Sequence, residues 1–342
     1  MKAIVHIGLE KTGSTSVQEF LYKNKATLAE CDYIYPETPG KVNHRRLAAY
    51  CTDSDKKDDF FIAMGLDTKA DVEVWKRSFF LEFKSEIKSL SSSKTVVFSA
   101  EHLSSRLVSD SEVTTLKDLL EQFFDTIKIY VYLRRQDRVA VSLRGTAILS
   151  GNLLPKSLPK VSENSHRYNY LNLLTRWDRV FGEDNIIAID VDNLLGVNGD
   201  VVDDFCLRLG QAGNPKLIFD ARSNVSMGSR GQSLGGLLNE LLPAQVSGRQ
   251  APWEIHRREI LIRLNASLDD YKWLPSRQDA QDFLGIFHSS NEIVAQRWFG
   301  GDLFDEDFSD YSDEQTHMNL QDSDYLALLH SICAQIRSLS QS

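Results

Sequence analysis

Short runs of β-branched and aliphatic residues alternate with amphipathic stretches over the first two-thirds of the chain. The runs predict strands near 3–7, 32–35, 94–99, 127–133 and 185–191. Most are apolar at successive positions, the pattern of strands covered on both faces, and helical segments separate them, so the expected sheet is parallel. Between the second and third runs, Trp75, Phe79, Phe83, Ile87 and Leu90 recur at three- and four-residue steps and describe one helix with a buried stripe. Beyond about residue 231 no strand is expected. Helical patterns near 231–242, 253–268, 290–299 and 323–338 take over. No low-complexity Gly, Ser or Pro linker divides the chain and no internal repeat is visible. The expectation is therefore a single domain over 1–342, with an α/β core at 1–230 and a helical extension at 231–342.

Composition narrows the class. The 342 residues are 42% hydrophobic and carry 39 Lys plus Arg against 48 Asp plus Glu, a formal net charge of −9. A chain of this length and apolar content can bury a large core without disulfides or a structural metal, which excludes global disorder. No apolar run approaches the ~18 to 20 residues of a membrane helix, so no integral membrane segment is expected. The N-terminal strand meets Glu10 and Lys11 before a signal-type apolar region could be completed, and the expected location is cytoplasmic. Cys31, Cys51, Cys206 and Cys333 lie far apart, with no CxxC spacing and no His at ligand intervals, so zinc and redox roles drop out and no metal is expected. The acidic balance argues against a nucleic-acid partner, which would need a broad basic face.

The sharpest local signal is His6-Ile7-Gly8-Leu9-Glu10-Lys11-Thr12-Gly13-Ser14-Thr15-Ser16. A strand passes here through a glycine-containing turn into a helix that buries Val17, Phe20, Leu21 and Leu28. A helix N-terminus offers unpaired N–H groups and about half a positive charge, and so captures phosphate or sulfate. Gly8 and Gly13 allow close backbone approach, and Thr12, Ser14, Thr15 and Ser16 supply hydroxyls. In the ATP-binding P-loop the lysine directly follows the last glycine; Lys11 precedes Gly13, an order that disfavours a kinase or ATPase. The bland alternative is a Ser/Thr-rich helix cap beside a solvated lysine. A second basic feature stands at the end of the fourth strand, where Arg134-Arg135 lead into a helix bearing Arg138, Ser142 and Arg144. Ligands of open α/β sheets collect at the carboxyl ends of strands. An arginine there, with a serine on the following helix, can hold a second anionic group.

With these residues the chain resembles the PAPS-dependent sulfotransferases, whose donor is 3′-phosphoadenosine 5′-phosphosulfate. The family's 5′-phosphosulfate loop matches Lys11-Thr12-Gly13-Ser14-Thr15, with Ser16 closing the cradle. Its 3′-phosphate motif, an arginine at a strand end and a serine eight residues on, matches Arg134 and Ser142. Trp177-Asp178-Arg179-Val180-Phe181-Gly182 and the strand after it resemble the family's next helix and strand. The likeness covers about residues 1–230, and the wording of the loop is closest to the bacterial and carbohydrate-modifying branch. It implies a P-loop-like open parallel sheet flanked by helices, sulfuryl transfer without a required metal, and a carbohydrate or glycoconjugate hydroxyl as acceptor. The chain departs from the family pattern in two places. Ser16 stands where the small-molecule cytosolic members usually place the tryptophan that stacks on adenine, and Gln136 where many members have proline. The choice of Arg134 over Arg135 rests on the eight-residue spacing. Asn224-Val225-Ser226, near Arg222 and Arg230, matches a late loop that closes over the nucleotide.

Transfer to a hydroxyl asks for a base within about 3 Å of the acceptor oxygen. Glu101 and His102 follow the third strand at the carboxyl edge of the sheet and, if the chain is extended there, point in opposite directions. Glu101 is favoured as base or orienting group, with His102 next. His44, beside Arg45 and Arg46, is a third option, and its basic neighbours could bind an anionic acceptor. Lys11 is suited to neutralising the bridge oxygen of the donor. The polar loop 151–167 is placed to form an acceptor rim, while the acidic run 300–323 reads as solvated surface. Two other functions stay in view: a nucleotide-dependent small-molecule kinase, and a non-enzymatic module that binds bisphosphorylated adenosine.

Overall fold

The computed structural model describes residues 1–153, 156–194, 200–219, 227–246, 249–268, 271–316 and 320–339. Five strands form one fully parallel sheet: β1 (Lys2–His6), β2 (Tyr33–Ile34), β3 (Thr95–Ser99), β4 (Thr126–Leu133) and β5 (Ile186–Asp190), in the order β2-β3-β1-β4-β5. All five expected strands are present. The first strand is the central one, and His6 at its end stands opposite Ser99 of β3 and Tyr130 of β4. The chain builds one side of β1 and then crosses to the other, so the switch in strand order falls at β1, where such sheets open a crevice outside the strand ends. The fold is an open parallel α/β sheet of P-loop-like order flanked by helices.

Helices α1 (Ser14–Lys23) and α2 (Lys25–Glu30) follow β1. Helices α3 (Arg45–Cys51), α4 (Asp59–Ala63) and α5 (Lys69–Lys88) lie between β2 and β3, and α6 (Glu101–Arg106) and α7 (Asp110–Leu120) precede β4. After α8 (Gln136–Leu149) come α9 (Tyr170–Phe181), α10 (Val201–Arg208), α11 (Ser229–Leu241), α12 (Glu254–Ser267), α13 (Arg277–Gly285), α14 (His288–Trp298) and α15 (Asp322–Leu339). The residues group into two compact units. One holds Met1–Arg134, Ser162–Arg222 and Phe287–Asp305; the other holds Arg135–Val161, Ser223–Ile286 and Glu306–Ser342.

In the first unit, side-chain alternation along the strands divides the core between the two faces of the sheet. Val5, Val96, Phe98, Ile129 and Val131 pack on one face with Phe79, Phe83 and Trp177, while Val97, Tyr130, Tyr132 and Ile189 pack on the other with Val17, Leu21 and Phe205. The aromatic stripe read from the sequence is α5, whose start is closed by a capping box between Thr68 and Asp71. The segment carrying Val17 to Leu28 is two helices rather than one. Asn24 separates them, donating to the Phe20 and Ile218 carbonyls and accepting from the Ile218 N–H. Although it follows residue 231, α14 joins this core through Val294.

The second unit is mostly helical. Ile148, Met227, Leu234, Leu238, Ile260, Leu261 and Leu264 form its core, and a Cβ on Gly235 would come 2.5 Å from Ile148 Cγ2, which is why that helix surface carries glycine. The expectation of no strand beyond 231 is corrected by a minimal antiparallel pair, Gln245–Val246 with Arg249–Gln250, and α13 is a helix the periodicity did not reveal. Among the described residues no helix is long and apolar enough to cross a membrane.

Candidate functional site

The segment 8–13 joins the central strand to α1, and three of its residues have left-handed backbone: Gly8 (φ 50°), Lys11 (φ 67°) and Gly13 (φ 85°). The two glycines are required sterically as well. A Cβ at Gly8 would lie 2.7 Å from Ser14 Oγ and 3.1 Å from Glu101 Cα, and one at Gly13 would lie 2.4 Å from Val201 Cγ1. Lys11 adopts this conformation with a full side chain, at a cost of ~1 to 3 kcal/mol. Backbone that alternates between left- and right-handed conformations forms anion-binding nests, and the left-handed positions of this turn are the sequence's natural place for one. Helix α1 then starts on Gly13 with no side-chain cap and no acidic residue in its first turn. The first N–H groups of a helix have no acceptor within it and carry the positive end of its dipole. Thr12 and Ser14 behave differently from the expectation. Both hydroxyls are buried and donate to the Leu9 carbonyl, at 2.9 and 3.1 Å, bracing the loop from inside. Thr15 and Ser16 keep contact with solvent.

Arg134, the first residue past β4, donates from Nη1 to the Lys11 carbonyl at 2.9 Å, and its own carbonyl accepts from Tyr170 Oη at 2.6 Å. Glu101 opens α6 across from the loop. There Ser104 Oγ donates to the Gly8 carbonyl and to the Glu101 carbonyl, tying the helix to the turn. Burial draws the Lys11 ammonium below its ordinary pKa; Glu10 and Glu101 oppose this fall and Arg134 adds to it. Burial pushes the Glu101 carboxyl upward, and the negative charge of Glu10 adds to the rise against Lys11 and Arg106. An ammonium that loses its proton early and a carboxyl that holds its proton late thus share one small region. The two shifts bring the values towards one another, and perturbed groups of this kind mark a candidate site.

The other candidates fall elsewhere. Glu101 and His102 are not on an extended segment but in the first turn of α6, so they are set about a third of a turn apart on a helix. His102 faces the ionic cluster in which Arg45 binds Asp58 and Asp59, and Arg106 binds Asp59 at 3.0 Å. Burial first, and Arg45 and Arg106 next, take its pKa down to about 4. His44 is fully buried as the N-cap of α3. Its Nε2 lies 3.0 Å from the Pro36 carbonyl, its Nδ1 accepts from the Ser99 N–H at 3.2 Å, and the ring stacks on Tyr35. With both nitrogens engaged and burial holding its pKa at about 3, His44 is a neutral brace between β2 and β3.

Arg135, the alternative to Arg134, is wholly buried. It is held bidentately by Asp137 at 2.9 and 3.0 Å, donates to the Asp307 carbonyl and lies over the Phe308 ring. Ser142 is half-buried on α8 in the second unit, where Arg144 lies over Trp273. Arg222 and Asn224-Val225-Ser226 lie outside the described residues.

Sequence reasoning missed four contributors. Glu10 was visible only as a member of the loop, yet it flanks both Lys11 and Glu101 electrostatically and pairs with Arg167 at 2.6 Å. Arg167 comes from the end of the loop expected to form a rim. Ser104 and Tyr170 reach the site only through tertiary hydrogen bonds, which leave no periodicity to read.

No protein-family model matches the chain, and no curated protein matches it. Among solved structures it is similar to the crystal structure of a sulfotransferase from Alicyclobacillus acidocaldarius, with a TM-score of 0.37 and 16% identity, over 77% of this chain and 96% of that one. A likeness this distant assigns no activity.

Proposed function

We infer that the chain is a sulfotransferase that takes the sulfuryl group from 3′-phosphoadenosine 5′-phosphosulfate and passes it to a hydroxyl of a carbohydrate or glycoconjugate. The observation that carries this reading is the left-handed Lys11 between two left-handed glycines, at the uncapped start of α1, with its carbonyl bound by Arg134. The donor supplies an activated sulfur that transfers in line, with negative charge gathering on the departing bridge oxygen. Positioning and electrostatics then carry most of the catalysis, as in phosphoryl transfer. In this reading the N–H groups of the nest and of α1 bind the 5′-phosphosulfate oxygens, Lys11 neutralises the bridge oxygen, and Arg134 takes the 3′-phosphate. Glu101 removes the acceptor proton as the new O–S bond forms and the bridging S–O bond breaks, leaving adenosine 3′,5′-bisphosphate. The burial of Arg135 in its pair with Asp137 supports Arg134 for the 3′ role; the part of Ser142 rests on its sequence spacing. His44 and His102 rank below Glu101 as base, because one is engaged at both nitrogens and the other faces an ion cluster. The kinase alternative has against it the position of Lys11 ahead of Gly13. Incubation with sulfur-labelled donor and a panel of cell-derived glycans tests the reading: labelled glycan and released bisphosphate are expected, and bisphosphate binding with no transfer to any acceptor would favour the nucleotide-sensing module.

A further inference from the structure

Where α6, α7 and α9 meet in the first unit, one cation is left without a counter-charge. Glu112 on α7 is fully buried and saturated: its two oxygens take the Lys56 ammonium at 2.7 Å each and also accept from the Asp53, Val108 and Ser109 N–H groups. Asp110 pairs with Arg179 at 3.2 Å and Glu10 with Arg167 at 2.6 Å. Each of these carboxylates thus has a cation of its own. Arg176, half-buried on α9, does not share in them: no hydrogen bond or ion pair holds its guanidinium among the described residues, and its Nη1 is closed off from solvent without a partner. Burial draws this guanidinium below its ordinary pKa; Asp110 and Glu112 oppose the fall from a distance, and Arg179 adds to it.

His166 shares this field. Partial burial lowers its pKa and the charges of Arg176, Arg167 and Lys56 add to the fall, while a hydrogen bond to the Ser105 carbonyl opposes them. The ring keeps contact with solvent, so a ligand can reach it. A guanidinium partly withdrawn from water with no counter-charge is costly, and an oxyanion bound on it with charge-assisted hydrogen bonds offsets that cost. Position selects where the oxyanion comes from. His166 meets α6 at Ser105, four residues and about 6 Å along the helix from Glu101. Its neighbour Arg167 is bound to Glu10 of the cradle loop. The donor's own oxyanions already have Lys11, the loop and Arg134. We propose that Arg176 and His166 form a subsite for a carboxylate or sulfate ester carried by the acceptor, which makes the acceptor an anionic glycan. The acceptor role rests on the sulfotransferase reading of the neighbouring site; the binding of an oxyanion does not.

Isothermal titration of the full chain with D-glucuronic acid, sodium sulfate and glucose, each after adenosine 3′,5′-bisphosphate has been added to saturation, tests it. Glucuronate and sulfate should bind and glucose should not. Arg176→Gln should weaken both anions about tenfold or more, and Arg176→Lys should recover part of the loss. His166→Gln, at an accessible position, should weaken them too and keeps the test open if the Arg176 variant misfolds. All variants should hold the bisphosphate as the natural chain does. In transfer assays the same substitutions should raise KM for glucuronate-bearing glycans about tenfold and leave KM for neutral glycans unmoved. Anion binding indifferent to both residues, sulfate binding without glucuronate binding, or transfer to neutral glycans alone overturns the proposal. Failure of the bisphosphate to bind contradicts the sulfotransferase reading instead, and the dependence of glucuronate binding on Arg176 then decides the oxyanion site by itself.

Discussion

Arg134 donates a hydrogen bond to the backbone carbonyl of Lys11, the one residue of the cradle that is left-handed without being glycine. The two side chains proposed to meet the two ends of the donor are therefore coupled through a main-chain contact. Loss of Arg134 should be felt twice: Arg134→Ala removes a charge-assisted contact of ~1.5 to 3 kcal/mol and weakens donor binding about ten- to a hundredfold. It should also lower turnover at saturating donor, because the Lys11 backbone loses its brace. Donor affinity and single-turnover rate, measured separately, check this; an unchanged rate at saturation would confine Arg134 to binding.

Lys11 itself offers a comparison that its backbone makes possible. Lys11→Ala and Lys11→Gly both remove the ammonium, and each should lose roughly 3 to 4 kcal/mol of transition-state stabilisation, a few hundredfold in turnover. Only glycine relieves the left-handed conformation. The glycine variant should therefore be the more stable of the two by about 1 kcal/mol in denaturant unfolding. Equal stability would mean that the loop carries no strain at Lys11.

The pH dependence follows from the two opposed shifts. Glu101 must be ionised to act as base, and its raised pKa places the acid limb of kcat/KM above the ordinary carboxylate range. Lys11 must be protonated, and its lowered pKa brings the alkaline limb in below the ordinary lysine range. Glu101→Gln should keep donor affinity, lower transfer ~10²-fold or more and erase the acid limb, whereas Glu10→Gln should only move that limb down. If His102→Ala or His44→Ala removes the limb instead, the base is misassigned.

Stability should fall in acid before the carboxylates titrate. His6 and His44 are buried and held at about 3, below the unfolded value of 6.5. Above 6.5 both states are neutral and the groups contribute nothing to the slope. Below it the unfolded chain takes up protons that the folded chain refuses, so each site weakens folding by up to about tenfold per pH unit as pH falls towards 3. Urea midpoints between pH 7 and 4.5 should drop accordingly. His44→Phe, which keeps the stacking on Tyr35 but abandons the Pro36 and Ser99 hydrogen bonds, should be less stable at pH 7 and show a shallower acid slope.

Where side-chain pattern follows local geometry, the sequence was readable. The five strands, α5 and α12 announced themselves through alternation or helical spacing, and the loop around Lys11 through glycine placement and residue order. What stayed hidden depends on contacts between distant segments. The Asn24 break is stabilised by Ile218, the Thr12 and Ser14 hydroxyls turn inward because Leu9 offers a carbonyl, and His44 is occupied because β3 presents an N–H at Ser99. Arg134 and Arg135 are identical in the sequence, and only the carboxylate of Asp137 separates a buried ion pair from a residue that reaches the loop.

The central claim is that the Lys11 cradle and Arg134 hold a nucleotide bearing phosphates at both the 3′ and 5′ positions. Isothermal titration of the chain with adenosine 3′,5′-bisphosphate, adenosine 5′-monophosphate and ATP measures this directly. The bisphosphate should bind tightest, and Arg134→Ala should bring it down to the level of the monophosphate. ATP binding as tightly as the bisphosphate, or a preference for the 3′-phosphate that survives Arg134→Ala, would contradict the account.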